Sequence, residues 1–206
     1  MPSAVQRKLS FKQQQLRFRE DAILDAVNRL LSLKGFDLMT MDEVATEVGI
    51  SKASLYKHFE SKEELAAASM TRLIDDTLAT AHGLGKGLSP IQRLKAVMRW
   101  AVTTHLAGSM PSLPSTRSTI QQALIGYAPY AERVSELTEL LGGWILLAQE
   151  TRDFSPDLPG EVILYTIYAR SCDPVSDFLK NGGAFTDDEI VGYVERTCFD
   201  GMTGSH

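Results

Sequence analysis

Apolar residues along this chain fall three and four apart, and nowhere do they alternate with polar ones over the length of a strand. That spacing belongs to helices that each bury one stripe. The first stripe, Ile23, Leu24, Val27, Leu30 and Leu31, ends at Lys34-Gly35, a base followed by a glycine suited to a helix C-terminus. Thr40 with Glu43 predicts a capping box opening a short second helix, with Val44, Ala45 and Val48 inward and Gly49 as its stop. Ser51 predicts the cap of a third short helix, with Leu55 and Phe59 inward. Ser61 with Glu64 predicts a further capping box and a long fourth helix striped by Leu65, Met70, Leu73, Ile74 and Leu78. The glycines at 83, 85 and 87 close it.

A new unit begins at Ser89-Pro90-Ile91-Gln92, which combines an N-cap, a proline at the first helical position and a reciprocal glutamine. A fifth helix follows through Leu94, Val97, Met98, Ala101, Val102 and His105. The stretch "GSMPSLPS", 108–115, reads as a loop, and helices are expected around Ile120–Tyr127 and Tyr130–Gln149. After "RDFSPDLPG", the segment "EVILYTIYARSC" is apolar nearly all round, which requires burial on more than one side. Pro174 should kink or end it. Thr186 with Glu189 caps a last helix carrying Ile190, Val191, Val194, Cys198 and Phe199. The expected fold class is all-α, with about nine helices.

Composition narrows the classes. Hydrophobic content of 44% and charged content of 23% over 206 residues are those of a globular protein. No apolar run is long enough to span a bilayer, and the basic start lacks the apolar core of a secretory signal. Cys172 and Cys198 show no paired spacing, which suits a reducing compartment, so a cytoplasmic location is expected. The histidines show no metal spacing; no metal and no cofactor are expected. There is no nucleophile with a plausible base, no carboxylate cluster and no phosphate loop, which argues against an enzyme.

Charge changes the picture more. The formal net charge is −5, yet up to Arg19 there are five bases (Arg7, Lys8, Lys12, Arg17, Arg19) and no acid. Residues 1–60 hold nine Lys/Arg against eight Asp/Glu, leaving twelve against eighteen for the rest. A basic arm on an acidic body fits a protein that meets a polyanion at one end.

That end contains "MDEVATEVGISKASLYKHFESK", Met41–Lys62. A DNA-reading hairpin needs a tight turn and a second helix with small or polar side chains at its N-terminal end, because that end enters the major groove. Gly49-Ile50-Ser51 supplies the turn. Behind the Ser51 cap, Lys52, Ala53 and Ser54 could face bases, and Tyr56, Lys57 and His58 could reach phosphates. Thr40 and Lys62 lie at helix starts, where free backbone N–H groups also favour phosphate. The same pattern, taken alone, also fits an ordinary packing hairpin with a few solvated lysines.

"GFDLMTMDEVATEVGISKASLYKHFESKEEL", Gly35 to Leu65, closely resembles the N-terminal domain of TetR-type transcriptional regulators. The shared pattern is a Gly-aromatic after the first helix, a capping Thr, an Ala within the second helix, Gly-Ile-Ser, an aliphatic-Tyr pair, His-Phe and Lys-Glu-x-Leu. The resemblance covers about residues 17–77 and implies a three-helix DNA-binding domain there, with its helix-turn-helix at about 40–59. It also implies phosphate contacts from Thr40, Tyr56, His58 and Lys62, and base-facing positions at Lys52, Ala53 and Ser54. Residues 78–206 would form a C-terminal ligand-binding and dimerisation domain.

On that reading the partners are double-stranded DNA with a palindromic operator, a second copy of the chain, and an apolar or aromatic small-molecule effector, with no membrane. The segments 161–180 and 186–200 are the candidate dimer surfaces, although they could instead fill their own subunit's core. Trp100, His105, Tyr127, Trp144, Tyr165 and Tyr168 are candidates for the walls of an effector pocket, with core packing as the alternative for each. The loop 108–115 could gate it. The function implied is a homodimeric repressor released from its operator by the effector. An all-helical enzyme, and a DNA binder or activator that senses no ligand, are the alternatives.

Overall fold

Local capping decides where most of the helices begin. The computed structural model describes residues 10–111 and 119–200, and among these there are ten helices and no strand. They are α1 (Phe11–Leu38), α2 (Met41–Val48), α3 (Lys52–Leu55), α4 (Lys62–Gly83), α5 (Pro90–Leu106), α6 (Ile120–Gly126), α7 (Ala128–Glu150), α8 (Gly160–Ser171), α9 (Val175–Asn181) and α10 (Asp187–Phe199). The Thr40, Ser89 and Thr186 boxes form with both of their reciprocal hydrogen bonds. At α4 only half of the expected box is present. Ser61 accepts from the Glu64 N–H, whereas the Glu64 carboxylate accepts from the Glu60 N–H at 2.6 Å.

α1 starts earlier than its apolar stripe suggests, because Ser10 and Gln13 make a complete capping box. Gly35, at φ 76° and ψ 171°, breaks the helix where the Lys34-Gly35 pair predicts. Gly49 adopts the left-handed conformation (φ 74°, ψ 33°) that ends α2, and there a side chain would be strained. The apolar segment 161–180 is two helices, split at Cys172–Pro174.

Two cores result. The head packs Ile23, Leu24, Val27, Leu31 and Phe36 of α1 against Val44, Ala45, Leu55, Phe59, Leu65 and Ala66. Ile120 and Leu124 of α6 complete this head core, though they lie far along the chain. Buried in the same place, the Ser69 hydroxyl lies 2.6 Å from Asn28 Oδ1 and 3.3 Å from the Leu24 carbonyl, tying α4 to α1. The body core gathers Leu78, Leu94, Met98, Leu141, Trp144, Ile145, Ile163 and Ile167 around α5, α7 and α8. α10 adds Ile190, Val191, Val194 and Phe199, and Phe199 stacks on Phe154 at 5.9 Å. α4 runs through both units, with Leu65 in the head core and Leu78 in the body core.

Candidate nucleic-acid interface and effector cavity

The hairpin is seated by Leu55 and Phe59, which are buried, while Ser51, Lys52, Ala53, Tyr56 and Lys57 are exposed and Ser54 is half-buried. The small and polar first turn of α3 therefore faces water, and its frame is held from behind. Ser51 accepts the Ser54 N–H at 3.1 Å, and Gly49 donates back to Thr46 at 3.1 Å.

The bases expected at this surface divide into two groups. Lys52 is paired with Asp42 at 2.8 Å, which raises its pKa above the ordinary lysine value. Lys62 points into the protein. Its ammonium donates to the Phe36 carbonyl (2.9 Å) and the Met39 carbonyl (3.1 Å) and sits 4.2 Å from the centre of the Phe36 ring. The His58 ring is almost covered and lies 3.5 Å from Glu20 of α1. Thr40 is exposed but occupied by its own capping box, and Glu43 is held below the usual carboxylate value by Lys34 and Thr40. Among the described residues Lys57, Lys12, Arg17 and Arg19 make no ion pair. Arg7 and Lys8 lie outside those residues. The Glu20–His58 contact brings the basic end of α1 beside the end of α3.

In the body, a cavity of about 260 Å³ lies between α4, α5, α7 and α8. Its walls include Met70, Leu73, Ala101, Tyr130, Leu137 and Tyr168. Of the six expected aromatic or polar-tipped wall residues, Tyr165 and Tyr168 line it. Trp144 is packed in the body core, and Tyr127 packs against the head core. Trp100 faces a separate polar cleft between α1, α4 and α5. His105 is buried, with Nδ1 2.9 Å from the Met110 carbonyl and Nε2 3.2 Å from Asp177. It thereby fixes Met110, which with Pro111 does form part of the wall. The rest of the expected gate, 112–115, lies outside the described residues.

Tyr130 is a wall residue that sequence reasoning missed. The signal was the α7 stripe Tyr130, Val134, Leu137, Leu141, all of which reach the cavity. Tyr130 and Met70 also pack against the head core, so two side chains are shared between the cavity and the head.

The outer face of α8 exposes Val162 and Tyr165, at 52% and 60%, and α9 exposes Phe178 at 74%. α10 turns its apolar stripe inward but leaves Tyr193 exposed at 41%, and α7 exposes Leu146 and Leu147. No helix among the described residues is long and apolar enough to cross a membrane.

A helix-turn-helix head on an all-helical body with an internal cavity defines the class. Residues 23–69 match the model of the family described as bacterial regulatory proteins, tetR family. The chain is 43% identical over 56 residues to the biofilm operon icaADBC HTH-type negative transcriptional regulator IcaR of Staphylococcus aureus (strain Newman). That match covers 27% of this chain and 30% of the relative's length. The whole fold is shared with the fatty acid degradation regulator FadR from Bacillus halodurans, with a TM-score of 0.66 and 14% identity over 95% of this chain and 98% of that one. AibR, solved in complex with isovaleryl coenzyme A and operator DNA, superposes with a TM-score of 0.63 at 21% identity, covering 88% of this chain and 98% of its own.

Proposed function

We propose that the chain is a sequence-specific DNA-binding transcriptional regulator, a homodimeric repressor released from its operator by a small molecule in the body cavity. One observation carries the DNA contact. α3 exposes Lys52 and Ala53 in its first turn and Tyr56 at its C-cap on a rigid frame, beside bases on α1 that make no ion pair among the described residues. The N-terminal ends of such helices read base edges in the major groove, and flanking Lys and Arg meet phosphate. Lys52 exchanges Asp42 for DNA. The IcaR relative is a negative regulator by name, which supports repression.

A single head covers half of a two-fold site, so a second copy is required. The exposed Val162, Tyr165 and Phe178 supply the self-complementary face. Effector release follows from Met70 and Tyr130. A ligand that repositions them alters the packing of the head, and hence the relation between two heads in a dimer.

Selection of bound sequences from random DNA tests the reading. An inverted-repeat site is expected, and Tyr56→Ala with Lys57→Ala should abolish its recovery while the helical spectrum is unchanged. Recovery of no sequence by the folded wild-type chain would overturn the proposal.

A further inference from the structure

We propose that the cavity takes an uncharged, largely apolar molecule carrying one hydrogen-bond-accepting oxygen, which the hydroxyl of Tyr130 contacts. This deepens the effector reading and rests on it for its biological meaning, but the chemistry comes from the walls.

Aliphatic side chains of Met70, Leu73, Ile74, Val97, Leu137 and Leu141 make up most of the lining, and among the described residues it holds no Asp, Glu, Lys, Arg or His. Among the described residues the cations nearest in the chain are spent elsewhere: Arg72 pairs with Asp25, Arg99 with Glu195, Arg133 with Asp75 and Glu136, and Arg170 with Asp173. A carboxylate or phosphate placed inside would lose its water and meet no counter-charge, which strongly disfavours it.

Polar capacity in the walls is hydroxyl and thiol. Burial raises the Tyr130 and Tyr168 phenols above their ordinary value and pushes the Cys172 thiol up to about 12, so all three keep their protons and none offers an anion to a cationic ligand. Tyr168 already has Thr138 Oγ1 at 3.3 Å, and Cys172 Sγ donates to the Tyr168 carbonyl at 3.3 Å. The Tyr130 hydroxyl has no hydrogen-bond partner among the described residues. The Tyr165 phenol is likewise unpartnered among those residues, but that side chain is 60% exposed, which leaves the half-buried Tyr130 as the inner donor for a guest. A volume of about 260 Å³ sits at the small end of ligand sites and suits a medium-chain ketone better than a large cofactor.

The test is calorimetric titration of the full chain, without DNA, with 2-decanone, decanoate and decanoyl-coenzyme A at pH 7.5. The ketone should bind, with decanoate weaker by at least about 100-fold. Tyr130→Phe should weaken the ketone by about 5- to 10-fold, the worth of one hydrogen bond. Tyr168→Phe should change it by less than about twofold, because its hydroxyl is already partnered. Ala101→Phe, which fills the cavity, should abolish binding. Failure of the ketone to bind, or tighter binding of either charged probe, overturns the ligand class. So does an unaltered ketone affinity in Tyr130→Phe, a variant small enough to keep the fold. The ketone's effect on the selected DNA site is read separately. Binding without DNA release upholds the ligand class and overturns the effector reading, whereas no binding with DNA recognition intact overturns the ligand class alone.

Discussion

Lys62 separates two views of the head. If it were a phosphate contact, replacing it would weaken DNA binding and leave folding alone. The structure instead has its ammonium donating to the Phe36 and Met39 carbonyls at 2.9 and 3.1 Å, over the Phe36 ring. These contacts hold the turn after Gly35 against the start of α4. Hydrogen bonds from a charged donor contribute about 1.5–3 kcal/mol each when buried, and the cation–π contact roughly 0.5–2 kcal/mol. Lys62 is half-buried, and both carbonyls regain water in a variant, so Lys62→Met should cost about 2 kcal/mol in all. For a chain of this size that lowers the midpoint of thermal unfolding by about 4–8 °C. Circular dichroism melts at matched concentration measure it. One ammonium N–H remains for a phosphate, so the salt slope of DNA binding should fall by no more than about one. An unchanged midpoint together with a 100-fold loss of DNA affinity would refute the clamp and restore Lys62 as primarily a DNA ligand.

Ser69→Ala leaves Asn28 unpaired in the head core and should destabilise the chain by about 1–3 kcal/mol, and adding Asn28→Leu should recover part of that in urea unfolding. Cys198 is pushed up to about 11 and Cys172 to about 12 by burial, so iodoacetamide at pH 8 should label both only after denaturation, as intact mass would show. Because the unfolded thiols ionise near 9, the unfolded chain binds fewer protons above that pH, and stability should fall as pH rises from about 9 toward 12. Val162→Lys with Tyr165→Asp should turn a dimer in equilibrium sedimentation into a folded monomer; a wild-type monomer at micromolar concentration would sink the dimer reading. Arg17→Gln with Arg19→Gln should lower the salt slope of DNA binding by up to about two units without altering the selected sequence.

The helix starts were legible because capping is local. Thr40 and Glu43, Ser89 and Gln92, Thr186 and Glu189 stand three residues apart, and nothing distant is needed for them to close. Ser10 with Gln13 carried the same signal. It went unread because no apolar stripe followed at once, and α1 therefore starts at Phe11. α6 was legible as a helix but not in its placement. Its seven residues put Ile120 and Leu124 into the head core, a partnership made across some fifty intervening residues that periodicity does not see.

The site was legible in its frame and less so in its charges. Leu55 and Phe59 inward with Lys52, Ala53 and Tyr56 outward follows from the helical period alone. Which lysines are free does not, since Lys62 finds its acceptors 26 and 23 residues away and Lys52 finds Asp42 across the turn. The run of bases up to Arg19, by contrast, was plain from charge alone, and among the described residues Lys12, Arg17 and Arg19 make no ion pair. Size misled at the cavity. Trp100 and Trp144 stood out because they are large, but a large ring is most often needed to fill a core, and Trp144 does so. What marks a cavity wall is a helix face left incompletely covered. On α7 that face runs Tyr130, Val134, Leu137 and Leu141, and its first residue, like Met70 of α4 and unlike either tryptophan, touches both the cavity and the head core.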